Sequence, residues 1–162
     1  MAVSDELLAN TISIIADYRE GEIDKLDAAH IRTWLEQFDG PVQESLITEL
    51  NHVLRKTYIS KKQFERFLEN LVACPDLTGG QPKQFWERAK FLDIQSHGSS
   101  QHVLLDMLGI PLKQQTGLAP ADCGNDPACF IYLDDGLYSG NTIKHSLAGW
   151  LKEAPSAAVT CP

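Results

Sequence analysis

The chain has no long apolar run: nothing in it approaches the roughly eighteen consecutive residues that a membrane-spanning helix needs. The stretch after Met1, with Asp5 and Glu6, also lacks the basic start of a signal peptide. These two lacks predict no membrane partner and a cytoplasmic location. Basic residues are in short supply as well. Fourteen Lys and Arg against 22 Asp and Glu leave a net charge of -8, so nucleic-acid binding by the surface as a whole is not indicated. An anionic ligand would have to rely on local N–H groups and a metal ion. Cysteine is sparse, and Cys74, Cys123, Cys129 and Cys161 form no Cys-x-x-Cys element. Free thiols in a reducing compartment are favoured over a zinc site, and no protein metal ligands are assigned.

What is present is globular: 162 residues, 43% hydrophobic and 22% charged, are enough to bury a core. The first half reads as helices. Residues 4–18 put Leu7, Leu8, Ile12, Ile14 and Ile15 on one broad face, with Ser4 as cap and Asp5 and Glu6 in the favourable first turn. Asp27 caps a short helix carrying Ile31, Trp34, Leu35 and Phe38. Gly40-Pro41 opens a third helix to about Tyr58, with Leu46, Leu50, Val53 and Leu54 on its apolar face. Ser60 and Gln63 have capping-box spacing and Ile59 and Phe64 hydrophobic-staple spacing, which predicts a fourth helix over 61–73. His30 and His52 fall on these helices and are assigned no chemistry.

A turn-rich joint over 75–82 separates an all-α module, residues 1–75, from the remainder of the chain. After a short helix near 84–90, residues 91–95 read as a strand, 96–101 as a polar loop, and the segment around Val103, Leu104, Leu105, Met107 and Leu108 as a helix ending at Gly109. Residues 111–128, rich in Pro and Gly, read as a long connection with Lys113 its only cation. The strands 91–95, 130–133 and 157–161 make the fold class α/β, a parallel sheet in the manner of Rossmann-like domains, over 91–162.

Most of the chemistry lies in residues 130–142. Phe130 to Leu133 form a short apolar run suited to a buried strand, and ligands of open α/β sheets gather beyond the carboxyl ends of such strands. Asp134 and Asp135 come next. Two adjacent carboxylates can accept hydrogen bonds from a vicinal diol, share a hard divalent cation and stabilise positive charge on a sugar ring. Ser139, Gly140, Asn141 and Thr142 then supply a residue free to take positive φ and two hydroxyls, with a helix beginning beside them. Such a loop turns backbone N–H groups toward an anion, and the helix dipole adds to it. Taken separately, the acidic pair also suits a plain turn, and Ser-Gly-Asn-Thr a plain helix cap.

Joined in this order, Asp134-Asp135-Gly-Leu-Tyr-Ser139-Gly140-Asn141-Thr142 resembles the ribose-5-phosphate motif of type I phosphoribosyltransferases (PRTases). The resemblance implies that Asp134 and Asp135 hold the ribose 2′ and 3′ hydroxyls of phosphoribosyl pyrophosphate, and that Tyr138, Ser139, Gly140, Asn141 and Thr142 hold the 5-phosphate. It also implies Mg²⁺ travelling with the pyrophosphate. The family's pyrophosphate loop comes earlier in the chain, so Gly98, Ser99 and Ser100 occupy the corresponding place, where an ordinary connector is the competing reading. Three positions depart from the family pattern: Gly136 stands for an aliphatic residue, Tyr138 for a small one and Asn141 for glycine. The sheet is also short for the family, so truncation at the C-terminus is expected. A helical module ahead of a divergent PRTase domain further resembles the PRTase-like proteins of bacterial conflict and antiviral systems, some encoded beside retrons. Three functions are therefore expected: a phosphoribosyltransferase, a non-catalytic nucleotide sensor using the same pocket, or a helical component that binds a protein partner.

Overall fold

A computed structural model describes residues 3–95, 99–136 and 139–153. The chain divides into two compact units, Met1–Phe64 and Glu65–Pro162.

The first unit is helical. Helix α1 (Asp5–Ile14) begins where the Ser4 hydroxyl accepts from the Leu7 N–H at 3.4 Å, with Asp5 and Glu6 in its first turn. It stops short of the expected end near Tyr18. Thr11 Oγ1 donates to the Leu7 carbonyl at 2.9 Å and Ser13 Oγ to that of Asn10 at 2.8 Å. Side chains that bond back to the helix in this way compete with its continuation, and the chain turns instead, with Arg19 at φ 50. Asp27 caps α2 (Ala28–Leu35) by accepting from the His30 N–H at 2.9 Å. Helix α3 (Gly40–Thr57) buries Ile47 and Asn51.

Leu8, Leu35 and Ile47 are almost wholly enclosed, with Val3 and Ile31 beside them and Leu7, Ile12, Leu46 and Leu50 packed around. Val53, expected on the apolar face, is exposed. Asn51 is tolerated because its amide is satisfied: Nδ2 donates to Thr11 Oγ1 at 3.0 Å and Oδ1 accepts from Arg55 Nε at 2.9 Å. Asp17 closes the unit, accepting from the Tyr58 hydroxyl at 2.6 Å and from the Lys61 N–H at 2.9 Å.

Helix α4 (Lys61–Ala73) starts at the expected capping box, formed in both directions: Ser60 N–H to Gln63 Oε1 at 2.8 Å and Gln63 N–H to Ser60 Oγ at 3.2 Å. Its buried residues, Leu68 and Val72, belong to the second unit. There the short helices α5 (Pro75–Thr78) and α6 (Pro82–Glu87) flank Gly79 and Gly80, both at positive φ. Trp86 is 1% exposed; its Nε1 donates to the Val72 carbonyl at 2.9 Å and its ring stacks on Phe91 at 5.6 Å.

Strand β1 (Ala89–Leu92) pairs in parallel with β2 (Cys129–Tyr132), in the register Ala89 with Cys129 through Leu92 with Tyr132. Among the described residues the chain is thus mostly helical, around a two-stranded parallel sheet. The third expected strand, 157–161, lies outside the described residues. No helix among the described residues is long and apolar enough to cross a membrane.

Helix α7 (Ser100–Thr116) joins the strands and corrects the expected stop at Gly109. Gly109 is inside the helix, where a Cβ would lie 3.3 Å from the ring of Pro120, so a larger residue would push that contact apart. Pro111 also lies inside, forgoing one backbone bond, and Leu108 and Leu112 are fully buried on either side of it. Gly117, left-handed at φ 81, ends the helix. The expected long connection shrinks accordingly to 117–128, which includes a 3₁₀ turn, Pro120–Asp122. Gly124 then donates its N–H to the Glu87 carbonyl at 2.9 Å and Ala128 to that of Arg88 at 2.8 Å, which brings the chain back beside the start of β1. Helix α8 (Asn141–Glu153) comes after β2, with Trp150 against Phe130 at 5.0 Å.

Candidate ribose-phosphate site

The acidic pair and the glycine loop are held between β2 and α8. The ladder ends at Tyr132, and after Leu133 the chain turns through Asp134 and Asp135. Asp134 is half-buried, and its Oδ1 accepts from the Asp135 N–H at 3.0 Å. That local bond fixes the turn and leaves the second carboxylate oxygen for a ligand. Asp135 is exposed.

On the far side, Gly140 sits at φ 71, a conformation costly for any residue with a Cβ. Its carbonyl accepts from the Lys144 N–H at 2.9 Å, which makes it the residue that opens α8, and Ser139 Oγ accepts from the Asn141 N–H at 3.4 Å. His145 Nδ1 lies 2.8 Å from the Asn141 carbonyl. Asp134, Gly136, Ser139, Gly140, Asn141, Thr142 and Ile143 line one hollow of about 50 Å³. In this measure a single water needs about 10–15 Å³, so the hollow suits a small group and leaves the remainder of a larger ligand facing solvent. Asp135, Ser99 and Ser100 are not among its lining residues. Tyr138 and Gly98 lie outside the described residues. A larger hollow of about 500 Å³, lined by Phe91, Leu92, Ile94, Phe130 and Trp150 among others, includes none of the described residues of the acidic pair or the glycine loop.

The loop before α7 is organised by its side chains. Ser99 has no side-chain cap bond, and its carbonyl accepts from the Val103 N–H at 3.0 Å. Ser100 Oγ is 3.0 Å from Gln95 Nε2. One residue that no sequence motif marks dominates this end of the sheet. Gln101 is 0% exposed; its Oε1 accepts from the N–H groups of Ile94 at 2.7 Å and Gln95 at 2.9 Å, and its Nε2 donates to the Leu133 carbonyl at 3.2 Å. The one signal for it in the sequence is a polar residue at helical spacing from the buried Leu108 and Leu112. These bonds also explain why β1 ends at Leu92 and not at the expected Gln95: the next N–H groups turn to Gln101, away from the ladder.

Among the described residues there is no group of three or more His, Cys, Asp or Glu side chains able to hold a metal ion. The donor set at Asp134 and Asp135, hard carboxylate oxygens, fits Mg²⁺ in the way that ion usually binds, through one or two carboxylates plus the substrate's phosphates.

The second unit thus brings together a short parallel sheet, an acidic pair at its carboxyl edge and a glycine loop opening a helix. Sequence comparison is consistent with this and sharpens it: the PRTase-CE family model matches residues 31–160. The chain belongs to the PRTase-CE family and carries a phosphoribosyltransferase-like domain. No curated protein and no solved structure matches it.

Proposed function

We propose that the second unit binds phosphoribosyl pyrophosphate or a related nucleotide through Asp134, Asp135 and the loop Tyr138–Thr142. The observation that carries this reading is the shared hollow: a half-buried carboxylate at a strand end faces a left-handed glycine and the first N–H groups of a helix. The Ser139 and Thr142 hydroxyls and the loop N–H groups take the 5-phosphate. Asp134 and Asp135 accept from the 2′ and 3′ hydroxyls. Bound Mg²⁺ would be held by these carboxylates and the pyrophosphate, and would neutralise the charge of the leaving group. In transfer, the bond between the anomeric carbon and the pyrophosphate oxygen breaks, its electron pair leaves with the pyrophosphate, and a nucleophile donates the pair for the new bond. The acidic pair stabilises the ribose-centred cation between these events.

A sensor that binds the same ligand without turning it over is the second reading. It is favoured by the lining of the hollow, where Asp134 is the sole titratable side chain among the described residues. A place in antiviral defence is compatible with either reading.

Calorimetry with phosphoribosyl pyrophosphate, with and without Mg²⁺, tests the proposal, and release of pyrophosphate separates enzyme from sensor. Replacing Asp134 and Asp135 together by Asn should remove most of the affinity, since hydrogen bonds to charged groups contribute about 1.5–3 kcal/mol each, or tenfold or more. Affinity for inorganic phosphate should hold or rise, because two repelling charges have gone. No loss for either ligand would return the pair to a plain turn.

A further inference from the structure

We propose that Gln101 is a positioning residue, a buried amide clamp that ties the ends of β1 and β2 together and sets where Asp134 stands; its consequence for ligand binding rests on the phosphoribosyl reading above. Parallel strands must part at their carboxyl ends to open a crevice, and the backbone groups at the parting lose their ladder partners. Left buried and unpaired, each such group destabilises the fold, so a partner has to be found for it. Here the ladder's last pair is Leu92 with Tyr132. Just beyond it, the Ile94 and Gln95 N–H groups on one strand end and the Leu133 carbonyl on the other all turn to one side chain. A primary amide is the side chain that offers an acceptor and a donor in one rigid plane.

The clamp is itself braced. The Gln101 N–H donates to Gln95 Oε1 at 3.0 Å, and Gln95 Nε2 reaches Ser100 Oγ, so two glutamines lock each other at the start of α7. Leu133 is the residue before Asp134. Releasing its carbonyl frees the turn that aims the carboxylate, and leaves the glycine loop, which belongs to α8, as it was.

Two variants separate this role from a purely structural one. Gln101→Glu keeps the acceptor for Ile94 and Gln95 but, when ionised, cannot donate to Leu133; Gln101→Met loses both functions. Amide hydrogen exchange on peptides spanning 129–136 should speed up in Gln101→Glu, while peptides from α1 to α3 stay unchanged. Affinity for phosphoribosyl pyrophosphate should drop about tenfold, the loss of one charge-assisted contact, with inorganic phosphate held to within about twofold of the parent. Measured against the parent protein at the same pH, lowering the pH should bring both readouts of Gln101→Glu back toward parent values, because the protonated carboxyl is a donor again, and should do so for neither readout of Gln101→Met. Unchanged exchange over 129–136 in Gln101→Met, which can neither donate nor accept, would overturn the clamp, as would equal losses of the two ligands. If the parent protein binds neither ligand, the phosphoribosyl reading fails, and the exchange comparison still decides the clamp.

Discussion

Gly124 offers the sharpest test of how the second unit is assembled. A methyl group there would lie 2.6 Å from both Cα and Cβ of Lys90 and 2.8 Å from its Cδ, and the residue sits at φ +69. Two costs therefore add in Gly124→Ala. The left-handed backbone costs a residue with a Cβ about 1–2 kcal/mol, and forcing atoms into a packed contact costs about 1–3 kcal/mol more, for a sum of about 2–5 kcal/mol. At about 2–4 °C per kcal/mol for a chain of this length, Tm should fall by about 4–20 °C. Gly117 supplies the control, since it has φ +81 but nothing within 4 Å of its would-be Cβ. Gly117→Ala should show the backbone cost alone, about 1–2 kcal/mol, and the difference between the variants is the contact with Lys90. Thermal unfolding followed by circular dichroism gives both numbers. Equal losses would refute the reasoning, showing that β1 gives way freely at Lys90. Because the bonds from Gly124 to Glu87 and from Ala128 to Arg88 seat the chain that leads into β2, Gly124→Ala should also weaken phosphoribosyl pyrophosphate binding, and Gly117→Ala should not.

Ser60→Ala removes the acceptor for the Gln63 N–H and should destabilise the chain by about 1 kcal/mol in chemical denaturation; an undiminished midpoint would make the box ornamental. Burial first, and then the Asp17 carboxylate, push the Tyr58 hydroxyl up to about 12 from 10.0. A raised value means that the fold favours the neutral phenol, so this contribution is full below about pH 10 and is lost as pH rises toward about 12. The partner shift runs the other way. The Tyr58 hydroxyl, ahead of the Lys61 N–H, holds Asp17 below its ordinary 3.8, so that contribution is present above the ordinary carboxylate range and disappears as acid titrates Asp17. Tyr58→Phe should flatten the stability profile at both ends, and an unchanged profile would deny the pair any part in stability. Burial, and next the neighbouring Asp122, raise the Cys123 thiol, so alkylation at Cys123 should be slow in the folded protein and fast in denaturant; equal rates would contradict its enclosure.

What can be read from the sequence is local. The capping box at Ser60 and Gln63 and the cap at Asp27 are settled by residues three apart, and both are formed. The order strand, acidic pair, glycine loop, helix is likewise local, and the structure brings Asp134 and residues 139–143 to one hollow. What cannot be read depends on distant partners. Gly109 looks like a helix stop until Pro120 is placed against it, and Pro111 looks like a breaker until the buried Leu108 and Leu112 offset its missing bond. The extent of β1 is hidden for the same reason, since nothing near Ile94 announces that its N–H will be claimed by a side chain seven residues on.

The same contrast between local and distant partners decides how the site responds to mutation. On the proposed reading, the residues that meet the ligand are marked by a local pattern, because a diol and a phosphate demand particular groups close together in the chain. Residues that hold the site open answer to the geometry of two strand ends instead, and any side chain able to donate and accept at that point would serve. Gln101 therefore carries no motif, although its three bonds span residues 94 to 133. A substitution there leaves the recognisable sequence intact while altering the position of Asp134. Loss of function with the motif preserved is consequently the outcome to expect from changes at the buried end of α7, and changes on the exposed face of α8 should be far milder.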